Sequence, residues 1–98
     1  MIEMKEITTS YFFNAGQAFS EIANTFSSRP ALVMLDGSIT TYGELEALSN
    51  RLAYWLQREG IEIGDVIAIF NRKTVRAYAC MIACLKIGAT YVNLDPSS

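Results

Sequence analysis

Apolar residues recur along this chain with a spacing that changes from block to block, and each change marks an element. Between Asn14 and about Ser27 they fall at Ala15, Phe19, Ile22, Ala23 and Phe26, the spacing of one buried stripe on a helix. Asn14 with Gln17 three residues later makes a capping box, so a helix is predicted to begin there, and residues 1–13 read as an N-terminal extension. Ser27-Ser28-Arg29-Pro30 ends that helix, because a proline disfavours helical backbone at the residue before it. Ala31 to Leu35 and Ser38 to Thr41 read as two strands joined at Asp36-Gly37, a tight hairpin turn that requires positive φ.

Thr41-Tyr42-Gly43-Glu44 places a hydroxyl at a helix start and a carboxylate three residues on, the reciprocal pairing that satisfies two free backbone N–H groups. The helix that follows carries Leu45, Leu48, Leu52, Trp55 and Leu56 on one side and Glu46, Asn50, Arg51, Gln57 and Arg58 on the other, and Gly60 stops it. Val66 to Phe70 is an unbroken apolar run rich in β-branched residues, predicted to be a strand buried on both faces. Thr74 caps a helix over Val75 to Ile87 that has no charge between Arg76 and Lys86, so it is predicted to lie sandwiched between layers. Gly88 ends it, and Ala89 to Leu94 is a further strand. Strand, helix and strand with short connections make a βαβ unit with parallel strands and a right-handed crossover. The fold class is therefore α/β, with three helices, a β-hairpin and a βαβ unit, too little for a finished doubly wound sheet.

Composition sharpens this picture. The 98 residues are 51% hydrophobic and 18% charged, which for so short a chain predicts faces meant to be covered by something else. The net charge is −2 and no basic stripe is present, which argues against nucleic acid as a partner. No apolar run is long enough to span a bilayer and the first six residues lack a secretory layout, so a cytoplasmic location without membrane contact is expected.

Candidate chemistry is sparse. The chain contains no histidine, which removes the commonest general base and any Ser-His or Cys-His pair. Cys80 and Cys84, four apart on one helix face, read as small buried apolar residues; their spacing disfavours a disulfide, and a metal would need further ligands. Ligands on parallel sheets collect beyond the carboxyl ends of strands, here Asn71-Arg72-Lys73 and Asp95-Pro96-Ser97-Ser98. The first loop with the following helix start could hold an anion but reads as solvated, since no glycine opens its backbone, and Asp95 could accept a phosphoryl group or ligate magnesium but reads as structural or capping, since no second acidic residue is placed to share a metal. None of the six glycines forms a phosphate-binding loop. Tyr42, Trp55, Tyr78 and Tyr91 are read as core or layer contacts. No residue of the chain is put forward as catalytic, cofactor-binding or metal-binding.

The order of segments carries more information than any one of them. Ile39-Thr40-Thr41-Tyr42-Gly43-Glu44-Leu45 resembles the first core motif of the adenylate-forming (AMP-binding) superfamily, which contains acyl-CoA synthetases, luciferases and the adenylation domains of nonribosomal peptide synthetases. Ser49-Asn50-Arg51-Leu52-Ala53, the turn Gly60 to Asp65 and the strand Val66 to Ile69 follow in that family's order. Leu85-Lys86-Ile87-Gly88-Ala89-Thr90-Tyr91-Val92-Asn93-Leu94-Asp95-Pro96 is similar to its second motif. Asn93 stands where the family usually has proline, restoring a backbone donor, and Phe70-Asn71-Arg72-Lys73 replaces the usual short loop.

The resemblance implies that residues 1–98 are the N-terminal part of an adenylation domain, a partial subdomain that is incomplete without the downstream enzyme. It implies an ATP-dependent ligase that converts a carboxylic or amino acid to an acyl-adenylate for thioester formation. ATP and magnesium are expected for the complete enzyme and neither for this segment, whose motifs precede the phosphate loop and the catalytic lysine. The chain alone is expected to be inactive, with the remainder of the domain, on the same or a separate chain, as its partner. The contrasting expectation is a non-catalytic interaction module derived from an adenylation fold, which binds or regulates a partner through an exposed apolar face, the face through which the chain could also self-associate.

Overall fold

The computed structural model describes the backbone of residues 4–70 and 74–94 and the side chains of residues 15–70 and 74–94. Its elements run α1 (Met4–Thr25), β1 (Pro30–Val33), β2 (Ile39–Thr41), α2 (Tyr42–Arg58), β3 (Val66–Ile69), α3 (Val75–Ile87) and β4 (Thr90–Asn93). The α/β class, the antiparallel hairpin and the parallel βαβ pair follow the sequence reading.

The first helix is a correction. It starts at Met4, so Asn14 lies inside it and cannot cap it. Residues 4–13 contain neither glycine nor proline, and nothing in them interrupts a helix once it has formed. Of the stripe assigned to it, Ala23 is buried and Phe19 half-buried, whereas Ile22 and Phe26 stay largely exposed.

The hairpin turn also differs in detail. Gly37 takes φ +89, but no described non-glycine residue has positive φ, so Asp36 keeps ordinary backbone. The Gly37 N–H donates to the Met34 carbonyl and the Met34 N–H to the Ser38 carbonyl, both at 2.9 Å. The loop is thus three residues long with a left-handed glycine at its end, a common alternative to the two-residue turn.

Helix α2 begins at the expected capping box. The Glu44 N–H donates to Thr41 Oγ1 at 3.2 Å, and the Thr41 N–H donates to Glu44 Oε1 at 2.9 Å. It ends where Gly60, with φ +93, lets its own N–H reach the Gln57 carbonyl and the Ile61 N–H reach Leu56. Ile61 then packs with Leu56, the hydrophobic contact that accompanies such a stop. Two side chains face opposite to expectation: Trp55 is 55% exposed, and Glu46 turns inward.

The main core joins α2, α3 and the residue leading into β4 through Ala53, Leu56, Ala83, Cys84, Ile87 and Ala89, with Leu52, Ile61, Ile67 of β3, Cys80 and Tyr91 of β4 packed around it. As predicted, α3 is enclosed, touching α1, α2 and β4. Ala79 and Ala83 have no exposed surface, so their small size sets how closely the neighbouring layers approach.

Candidate functional site

Strands β3 and β4 pair in parallel with Val66 opposite Thr90, Ile67 opposite Tyr91, Ala68 opposite Val92 and Ile69 opposite Asn93. Side chains alternate between the faces of a strand. One face of the pair carries Ile67 and Tyr91 into the core. The other carries Val66, Ala68 and Phe70 beside Val92 and Leu94, and it is open. Val66 is 64% exposed, Phe70 68%, Val92 41% and Leu94 47%. This corrects the expectation that β3 is buried on both faces: among the described residues only one layer covers the sheet. A second apolar surface lies on the hairpin, where Val33, Leu35 and Ile39 are exposed.

The turn entering β3 is fixed to the end of α3. The Gly64 N–H donates to the Gly88 carbonyl at 3.0 Å, and the Thr90 N–H to the Asp65 carbonyl at 2.8 Å. At the other end the Leu94 N–H donates to the Ile69 carbonyl at 2.8 Å, so the chain leaves both strands at the same edge. The loop 71–73 and residues 95–98, singled out in the sequence for anion binding and for Asp95, lie outside the described residues. At the adjoining helix start Thr74 Oγ1 accepts the Ala77 N–H at 3.1 Å.

A polar cluster that sequence reasoning missed sits where α1, α2 and α3 meet. Lys86 near the end of α3 donates from Nζ to Glu46 Oε1, to Ser49 Oγ at 2.9 Å and to Asn50 Oδ1 at 2.7 Å. An ammonium has three N–H donors, and all three are used. Ser49, fully buried, donates in turn to the Glu46 carbonyl at 2.9 Å. Burial works to raise the Glu46 pKa, but the hydrogen bond from Lys86, joined by Ser20 and the lysine's charge, holds it below the ordinary value. From α1, the Phe19 ring lies 5.7 Å from the ammonium and 6.1 Å from the Tyr42 ring. The available signal was Lys86, which closes the uncharged stretch that follows Arg76 on α3, a charge that needs a partner wherever that helix is enclosed.

Cys80 and Cys84 are free thiols, the second buried, and the neighbouring Cys80 thiol together with burial pushes the Cys84 thiol up. Of the four aromatic residues assigned to the core, Tyr42, Tyr78 and Tyr91 are half-buried and Trp55 is not. No group of three or more His, Cys, Asp or Glu among the described residues could hold a metal, and no described helix is long and apolar enough to cross a membrane.

The first motif thus builds the start of α2, and the second builds the end of α3 and all of β4. The sequence model of the AMP-binding enzyme family matches residues 19–98, the segment that contains both. The chain belongs to this family. Within the AMP-binding enzymes it is 42% identical over 81 residues to surfactin synthase subunit 2 of Bacillus subtilis, covering 83% of this chain and 2% of that protein. It is 43% identical over 60 residues to the 3-oxocholest-4-en-26-oate–CoA ligase of Rhodococcus rhodochrous, covering 61% of this chain and 11% of the ligase. Its structure resembles the N-terminal subdomain of Klebsiella oxytoca NpsA in complex with 3-hydroxyanthranilyl-AMSN, with TM-score 0.77 and 35% identity over 85% of this chain and 21% of that one. The chain therefore spans a small part of the length of each AMP-binding relative.

Proposed function

We propose that residues 1–98 are the N-terminal part of an ATP-dependent ligase that activates a carboxylic or amino acid as an acyl-adenylate, and that this part is inactive until it docks with the remainder of the adenylation domain. Residues 1–13 then form an extension ahead of the family segment. In the assembled enzyme, ATP and magnesium supply the activating chemistry, and their ligands come from the remainder. This chain contributes a folded corner: three packed helices and a short parallel sheet whose second face receives the next layer.

The observation that carries this reading is the open face of β3 and β4, where Val66, Phe70, Val92 and Leu94 present contiguous apolar surface. Exposed apolar patches of this kind mark surfaces that another element covers. The small share of each relative that the chain spans supports the same reading.

Pyrophosphate exchange, measured with ATP and a panel of carboxylic and amino acids, tests it. The chain alone should show none, and exchange should appear when the remainder of an adenylation domain is added in trans or fused. Exchange by the chain alone, or failure of the remainder to bind it, overturns the reading. A stable dimer that hides the sheet face and ignores the remainder would favour an interaction module instead.

A further inference from the structure

Trp55 stands on the outer side of α2, and it does not stand there alone. Ala53 and Leu56 turn into the core, while Tyr54 and Trp55 between them are 65% and 55% exposed. Arg51 and Arg58 are exposed as well. Positions three, four and seven apart share one face of a helix, so Arg51, Tyr54, Trp55 and Arg58 form a single outer stripe. The Arg58 guanidinium lies 5.9 Å from the centre of the Tyr54 ring, where the aromatic face attracts a cation. Between Glu46 and Glu59 the helix carries no carboxylate, so the stripe is positive on a chain whose net charge is −2.

We propose that this stripe is a docking surface for an acidic amphipathic helix of a separate protein. Tryptophan, tyrosine and arginine are the residue types that carry most of the binding energy at protein interfaces. Arg51 and Arg58 are two turns apart, roughly 10.5 Å along the helix axis. A partner helix with carboxylates at the same spacing and leucine-like side chains between them pairs both guanidiniums and covers both rings. Charge decides against the other occupants. A second copy docked through its own stripe sets arginine against arginine, and an anionic bilayer gains only about 1 kcal/mol from each of the two cations. The stripe lies on the side of α2 away from the core, and the open sheet face lies on the side of β3 and β4 away from that same core, so the proposal stands apart from the docking reading above.

Trp55 is the one tryptophan of the chain, so its fluorescence reads the stripe directly. The full 98-residue chain is titrated with a stapled helical peptide that carries glutamates seven residues apart and leucines between them, with the same peptide carrying lysines in place of the glutamates, and with phosphatidylglycerol vesicles. The acidic peptide should shift the emission to the blue and saturate, and the lysine peptide and the vesicles should leave it unchanged. Arg51→Glu together with Arg58→Glu should weaken binding of the acidic peptide at least about tenfold. Trp55→Ala, followed by anisotropy of the labelled peptide, should do the same. The comparison of the two peptides decides the matter on the unaltered chain even if a variant does not fold. Emission unmoved by the acidic peptide, binding indifferent to peptide charge, a shift that only the vesicles produce, or displacement of the peptide by the remainder of an adenylation domain overturns the proposal.

Discussion

Thr41 and Glu44 satisfy each other's backbone: the hydroxyl of one accepts the N–H of the other, and the carboxylate returns the bond. Thr41 is also the last residue of β2, so this one pair turns the chain from strand into helix. Thr41→Ala should destabilise the fold by about 1 kcal/mol, measured by urea unfolding, with Thr41→Ser restoring most of it.

Gly60 has φ +93, and an added Cβ would meet nothing within 4 Å. Gly60→Ala therefore isolates the backbone term. It should cost about 1–2 kcal/mol in chemical denaturation, with no change in the packing reported by near-ultraviolet circular dichroism.

Ala83 has no exposed surface and lies in the main core. Ala83→Leu should force the layers apart and lower stability by roughly 1–3 kcal/mol. Ala83→Ser should be better tolerated for size, provided its hydroxyl bonds the carbonyl four residues back.

Three of the described carboxylates are held below their ordinary values. Asp36 is held down by the Ser38 hydroxyl and amide, and Glu44 by the Thr41 amide and hydroxyl. At Glu46 burial acts in the opposite direction and is outweighed by Lys86, Ser20 and Asn50. A carboxylate whose folded pKa is depressed contributes stability that is complete above its unfolded pKa and is lost as pH falls through the folded one. Melting temperature should therefore hold across neutral pH and decline once the pH drops below the ordinary values of 4.5 for glutamate and 3.8 for aspartate. Glu46→Gln should remove part of that decline, and an unchanged acid limb in this variant would contradict the assignment.

Val66 and Val92 share the open sheet face without contributing to the core. The double variant Val66→Lys, Val92→Lys should leave unfolding of the isolated chain within about 0.5 kcal/mol of the parent. It should also reduce binding of an apolar dye and abolish docking to the remainder of the domain.

The residues that announced themselves in the sequence were those whose role is local. Thr41 with Glu44, Gly60, Thr74 and Gly88 mark helix ends through backbone hydrogen bonding that depends on a few neighbours, and each stands where the sequence places it. Asn14 failed because a cap is needed only where a helix begins, and this one had already begun at Met4. Glu46 and Trp55 failed because periodicity assigns a face to a residue without saying what stands opposite. Glu46 turns inward to meet Lys86, a residue 40 positions away. The open face of β3 was hidden for a related reason: an apolar run shows that a strand is to be covered twice, but it does not say whether both covers belong to the described residues.

Among the described residues each strand of the β3–β4 pair has one neighbour and so keeps one outer edge of unpaired backbone N–H and C=O groups. Such an edge accepts whichever strand arrives first. A second copy of this chain competes for those groups with any strand that the remainder of the proposed domain supplies. A chaperone that shields the ribbon would tip that competition away from aggregation.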